Sequence, residues 1–211
     1  MIVVKDMIPG IYDDMGKFFN NLPGDQYATP GYRYRRFSRF KYGMTGHLET
    51  IEPDHFMQKS DINKAFGDIE RKFEPLEREL INKREFNQMV GLFQAACGGT
   101  VTTIDVHQVR IVVNPDKPAP AAPEGKHHDG YDFIGAFIVT RNNIQGGNFM
   151  LWDSVDSPDE DYLFKNDLIG KYAVIDDKKY VHTGDDLNVV DPSRNGVWEW
   201  FVIGGHKHVR T

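Results

Sequence analysis

The chain has 211 residues, 40% hydrophobic and 27% charged, with a formal net charge of −6. That length fits one domain (1–211) with a sizeable core, and the acidic balance argues against a general nucleic-acid binder. A single cysteine, Cys97, excludes an internal disulfide and suits a reducing cytoplasm, and no apolar run has the length of a membrane span or the pattern of a signal peptide.

Ile2 to Val4 reads as a short strand. After Pro9-Gly10, Tyr12, Met15, Phe19 and Leu22 recur at helical spacing until Pro23-Gly24. Residues 33–42 interleave basic and aromatic side chains and read as a strand. In an acidic chain its arginines fit a wet sheet face or an ion-pair network better than a nucleic-acid surface. Ser60 or Asp61 can cap a helix through Ile62, Phe66 and Ile69. Pro75 opens another helical stretch with Leu76 and Leu80. Phe86, Met89, Val90, Phe93 and Cys97 form an apolar helical stripe closed by Gly98-Gly99. Cys97 on that stripe reads as a small buried hydrophobe.

Residues 1–99 therefore read as a helical and strand support region. From residue 100 to 205 the texture is that of strands. Val101 to Val113 alternates β-branched and polar residues. A Pro/Ala-rich loop follows, then apolar strands at Phe133 to Thr140 and Asn148 to Trp152. Tyr172 to Ile175 and Lys179 to His182 flank Asp176-Asp177-Lys178, a hairpin-like signal. Val197 to Ile203 closes the series. The fold class is mainly β with N-terminal helices (α+β), a sandwich or jelly roll.

His127-His128-Asp129 precedes the strand at Phe133. Residues i and i+2 of an extended chain share a face, so His127 and Asp129 can grip one ion; His128 could replace His127 as a ligand only by pointing to the opposite face. His182 arrives from another strand. Two imidazoles and one carboxylate form the facial set that holds Fe(II) and leaves the opposite side open. Arg194 follows twelve positions after His182, where a neighbouring strand could present it to an acid on the metal. His206 and His208 form another His-x-His on what reads as a loose tail.

These residues sit in a series of blocks that resembles the Fe(II)- and 2-oxoglutarate-dependent dioxygenases with a double-stranded β-helix (cupin-like) fold, and within them the bacterial free amino-acid hydroxylases of the L-isoleucine 4-hydroxylase type. The blocks are Tyr32 to Ser38; Phe56 to Ser60 with Asn63 and Gly67; Arg71 to Leu76; His107 to Ile111; Glu124 to Gly130; Arg141 to Gly147; and Asp176 to His182. The chain departs from the family's pattern after His182, which lacks a following proline, and at Arg194-Asn195-Gly196-Val197, where the family has a stretch near Arg-Asp-Val-Leu.

The resemblance implies a catalytic Fe(II) held by His127, Asp129 and His182, with 2-oxoglutarate and O2 as co-substrates. The distal carboxylate of 2-oxoglutarate would pair with Arg194, with Arg141, Arg110 and Arg210 as alternatives. A carboxylate at 129 favours hydroxylation over halogenation. The implied substrate is a small molecule, a free L-amino acid or close derivative, with no nucleic-acid or membrane partner. Arg110, Gln108 and Asp132 are candidates to touch it, as are the basic-strand residues Arg33, Arg35 and Arg36. Tyr131, Phe133 and Trp152 could wall the pocket. The alternatives are the same chemistry on a carrier-bound, peptide or biosynthetic-intermediate substrate, or a non-catalytic metal-binding jelly roll.

Overall fold

The computed structural model of the protein describes residues 1–43, 45–51, 55–58 and 67–207. The first part comprises β1 (Ile2–Asp6), a 3-10 turn (Gly16–Phe19), β2 (Arg33–Tyr42), β3 (Leu48–Thr50), β4 (His55–Phe56), β5 (Arg71–Lys72), α1 (Arg78–Ile81) and α2 (Arg84–Ala96). Then come β6 (Val101–Val113), β7 (Phe133–Asn142), β8 (Ile144–Gln145), β9 (Phe149–Trp152), β10 (Phe164–Asn166), β11 (Lys171–Asp176), β12 (Val181–Gly184), β13 (Asn188–Val189) and β14 (Gly196–Lys207).

A seven-stranded antiparallel sheet runs in the order β1-β11-β7-β14-β6-β2-β3. Another antiparallel sheet, β10-β9-β12, and the pair β13-β8 complete a jelly-roll core. The period-2 alternation of the long strands divides the large sheet into two faces. On β6, Ile104 and Val106 belong to one buried cluster while Val109, Ile111 and Val113 belong to another. On β14, Phe201 and Ile203 join the former, and Trp198 and Trp200 the latter. The outer face lies under α2 and the N-terminal turns; the inner face lines the interior of the roll.

Helix α2 forms where the stripe placed it. Phe86, Met89, Val90 and Phe93 are fully buried, and Gly98 and Gly99 take positive φ after its end. Each such side chain contributes about 1.5–3 kcal/mol by leaving water. Phe93 sits so close to the sheet that a Cβ at Gly135 or Gly205 would lie 2.8 or 2.9 Å from its ring. On the inner face a Cβ at Gly204 would lie 2.3 Å from the Tyr131 ring. The glycines thus let two aromatic rings rest directly on the backbone.

Several sequence expectations need correction. Of the apolar positions after Pro9-Gly10, Met15, Phe19 and Leu22 are buried, the first two completely, and Tyr12 is half-buried, yet the segment is a run of turns with one 3-10 turn. Gly16 and the Asn20-Asn21 pair favour turns over a sustained helix. The stretch after Pro75 yields only the single turn α1 before the chain restarts as α2. The proposed cap at Ser60 or Asp61, with Ile62 and Phe66, lies outside the described residues; Ile69 is exposed and not helical. The Asp176-Asp177-Lys178 turn does not make a hairpin: β11 pairs with β1 and β7, whereas β12 pairs with β9. This turn carries the chain from one sheet to the other. Nor is the N-terminal region only a support, since β1, β2 and β3 are strands of the large sheet.

Gly204→Ala is expected to lower stability by about 1–3 kcal/mol, because the added methyl must displace Tyr131 or the strand. Denaturant unfolding measures this; an unchanged midpoint would contradict the close packing.

Candidate metal centre

His127 lies in the loop before β7 and His182 lies on β12. Their backbones form an isolated antiparallel bridge, with His127 N–H donating to His182 O at 3.0 Å and His182 N–H to His127 O at 2.9 Å. The bridge puts the two imidazoles side by side, ring centroids 4.5 Å apart. His127 Nδ1 faces the carbonyl of Gly125 at 2.7 Å, so Nδ1 carries the proton and donates, and Nε2 is turned inward. Asp129, two residues on, completes the group: its oxygens lie 3.6 Å from His127 Nε2 and 3.3 Å from His182 Nε2. One ligand atom from each of the three lies within 4.8 Å of the others. His128 points away, its Nδ1 against the carbonyl of Asp177.

Two side chains hold Asp129 and its loop. The carboxylate of Asp177 is fully buried and accepts backbone N–H groups from Asp129 (3.1 Å), Gly130 (2.8 Å) and Tyr131 (2.9 Å). Burial, followed by the charge of Asp129, pushes its pKa up. On the other side Gln58 Nε2 donates to both the carbonyl and Oδ1 of Asp129 at 3.1 Å, while Gln58 Oε1 accepts from Arg71 Nη2 at 2.7 Å. Burial opposes the charge on Asp129, but its two imidazole partners outweigh it and hold the carboxyl well below the usual range.

The three residues open on a cavity of about 150 Å³ inside the roll. Ile134, Ile138, Phe149, Trp198, Trp200 and Val202 give it apolar walls. Its polar rim includes Arg33, Arg35, Arg71, His107 and Glu124. His107 is buried, and burial, then the charge of Arg35, lowers its pKa well below the ordinary value. It is neutral, accepting from Arg35 Nη2 at Nδ1 (2.6 Å) and donating from Nε2 to Tyr131 Oη (3.3 Å).

The family model for 2OG-Fe dioxygenases matches residues 16–204. The chain belongs to the 2OG-Fe dioxygenase family. Solved structures agree in fold. A bsmA homolog from Methylobium petroleophilum PM1 superposes with a TM-score of 0.79 at 24% identity, over 96% of this chain and 83% of that one. IDO from Bacillus thuringiensis gives 0.74 at 15%, over 94% and 83%. The Fe(II)/(alpha)ketoglutarate-dependent dioxygenase TqaL gives 0.74 at 13%, over 100% and 83%. No curated protein matches the sequence.

The 2OG-Fe dioxygenase family uses Fe(II), 2-oxoglutarate and O2. The residues present fit the iron: two imidazole Nε2 atoms and a carboxylate converge, and His182 Nδ1 is buried without a hydrogen-bond partner, 3.7 Å from Asp177 Oδ1. A metal drawing on Nε2 would make Nδ1–H a stronger donor toward that carboxylate.

Other candidates fall elsewhere. Arg194 lies in the exposed turn before β14, beside Asp191 (3.4 Å) and Asn142 (3.2 Å), and does not line the cavity. An Asp-Pro-Ser turn, not a strand, carries it, so nothing aims it inward. Gln108 and Arg110 project from the helix-facing side of β6, opposite His107 and Val109; Arg110 meets Glu199 at 3.4 Å and the carbonyl of Phe19. Asp132 pairs with Lys178 and the backbone N–H of Lys207. Arg141 is bound to the carbonyls of Gly146 and Gly147. Tyr131, Phe133 and Trp152 are core residues that do not line the cavity. His206 packs on Tyr131, ring centroids 4.9 Å apart; His208 and Arg210 lie outside the described residues. Burial pushes Cys97 up to about 12, so the thiol is inert. Gln58, Arg71, Glu124 and Asp177 carry roles at the site that spacing alone did not single out, although all four lie within the family-like blocks.

Replacing Asp177 by Ala leaves three loop N–H groups without their acceptor and removes the carboxylate nearest His182 Nδ1. Affinity for Mn(II), a redox-inert probe, should fall about 10–100-fold by calorimetry; unchanged affinity would show the clasp to be irrelevant to the metal. Burial opposes a charge on His127, but Asp129 more than compensates and raises its pKa from 6.5 to about 9. Its contribution to the stability of the metal-free protein is thus complete below pH 6.5 and lost as pH rises through 9. Metal must displace that proton, so Mn(II) binding should tighten by up to about tenfold per pH unit between these values, with proton release. A flat profile would contradict the assignment.

Proposed function

We propose that this 2OG-Fe dioxygenase hydroxylates an unactivated carbon of a free L-amino acid or close derivative. One observation carries the reading: beside the metal ligands, a single small cavity presents guanidinium groups (Arg33, Arg35, Arg71), a carboxylate (Glu124) and a broad apolar wall. An amino acid with an apolar side chain offers the complementary three features, a carboxylate, an ammonium and a hydrocarbon.

Bound iron supplies oxidative decarboxylation of 2-oxoglutarate to succinate and CO2 coupled to insertion of one oxygen atom into a C–H bond. The chain's own residues do the rest. His127, Asp129 and His182 would hold the iron, and as a set of two imidazoles and one carboxylate they would leave it room for further ligands. Asp129 fills a position that a halide would need. Gln58 and Arg71 keep the Asp129 carboxylate from turning. Trp198, Trp200, Ile134 and Ile138 exclude water and hold the hydrocarbon chain against the metal face. Glu124 receives the ammonium. Catalysis on these terms is positioning, with the reactive group brought to within contact of one carbon.

A second reading, an extended or tethered derivative, is favoured by a neighbouring cavity of about 520 Å³ between the 27–33 and 112–123 segments, which shares Arg33 with the first.

Purified protein with Fe(II), ascorbate and 2-oxoglutarate should convert at least one free L-amino acid to a product one oxygen atom heavier, with equal succinate, in a mass-spectrometric screen. Products only from carrier-bound or peptide substrates would replace the first reading with the second. No coupled turnover on any of them would overturn both.

A further inference from the structure

Strand β2 carries four arginines, and three are matched to acids. Arg33 Nε lies 2.7 Å from Asp25, both buried. Arg39 grips both oxygens of Asp105, at 2.7 and 2.8 Å. Arg36 Nη1 lies 2.9 Å from Glu74. Arg35 has no such partner among the described residues. The β2–β6 register puts Asp105 opposite Arg39 but Val109 opposite Arg35. Among the described residues no carboxylate lies within ion-pair distance of Arg35, and its Nε is buried without a hydrogen-bond acceptor. Its one hydrogen-bonded neighbour there is the neutral His107.

The side chain is nonetheless held in place. Its guanidinium carbon lies 4.7 Å from the Phe73 ring centroid and 5.5 Å from that of Phe56. The two rings hold the guanidinium, and Arg35 lines the cavity. Burial, and next the charge of Arg33, pushes its pKa down to about 10, so it remains a cation at neutral pH. A buried cation without a counter-charge costs stability, and a guanidinium at a cavity wall with donors beyond the one that His107 takes is the complement of a carboxylate.

We propose that Arg35 binds the carboxylate of a ligand in the cavity. Two ligands can supply it: 2-oxoglutarate, through the carboxylate remote from its keto group, or the organic substrate. The second source rests on the amino-acid reading above; the first does not.

The test compares wild type, Arg35→Gln and Arg35→Lys by thermal melting and calorimetry with Mn(II), first with 2-oxoglutarate alone, then with 2-oxoglutarate plus a panel of L-amino acids and their C-terminal amides. The proposal expects Arg35→Gln to weaken one carboxylate ligand by about tenfold or more, with partial recovery in Arg35→Lys. Loss confined to 2-oxoglutarate identifies the co-substrate as the source. Loss confined to the amino acid, together with failure of the amide to bind wild type, identifies the substrate. The ligand-free Arg35→Gln protein should melt no lower than wild type, whereas Arg33→Gln, which strands Asp25, should melt several degrees lower. If no amino acid binds wild type, the amino-acid reading fails, and the 2-oxoglutarate arm alone decides the role of Arg35. Arg35→Gln that binds every ligand as wild type does overturns the proposal. So does an Arg35→Gln protein destabilised as much as Arg33→Gln, with both ligands weakened alike, which would mark Arg35 as structural.

Discussion

The site depends on a pair of backbone hydrogen bonds between two residues far apart in sequence. His127 and His182 exchange N–H···O contacts at 3.0 and 2.9 Å although one lies in a loop and the other on a strand of the smaller sheet. The exchange makes the loop behave as one more strand beside β12. Side-chain alternation then places His127 and Asp129 on one face and rotates His128 off it. Backbone geometry sets these directions.

Asp177 braces the loop that forms that bridge. Its carboxylate gathers three successive N–H groups of the loop after His127, as a helix cap gathers the orphan donors of a first turn. It sits on the turn that moves the chain from the large sheet to the small one, so a single residue ties the crossing, the metal loop and His182 together. The cost is a buried carboxylate near the charge of Asp129, visible in its raised pKa. Gln58 and Arg71 act from the opposite side, giving the Asp129 carboxylate a neutral amide donor backed by a cation.

The N-terminal region brings the polar rim. β2 lies beside β6 in the large sheet, and its odd-numbered residues face into the roll with Asp105, His107 and Val109. From Arg39 to Arg35 a continuous line of hydrogen bonds runs through Asp105, Tyr131 Oη and the neutral His107. Arg39 and Asp105 satisfy each other at one end; the other end is a cation at the cavity. The sequence expectation of an ion-pair network on this strand holds for Arg33, Arg36 and Arg39, and Arg35 is the exception that faces the cavity.

The strong periodic segments were legible in the sequence. The stripe from Phe86 to Cys97, the alternation of Val101 to Val113 and the apolar strands after Phe133 all form where the pattern put them, because burial on one face imposes its own period. The convergence of His127, Asp129 and His182 into a group that could hold a metal was legible too, since the His127-x-Asp129 spacing is local and the blocks around it keep a family order. Arg194, Arg110, Gln108 and Asp132 were read from position along the chain, and position does not say which face of a sheet a side chain takes or whether a turn intervenes. Only the tertiary structure decided that β11 and β12 belong to different sheets, that Asp177 reaches the metal loop, and which arginine of β2 has no acid partner among the described residues. Those facts depend on register between distant strands: a shift of one residue exchanges the faces, and no local spacing encodes it.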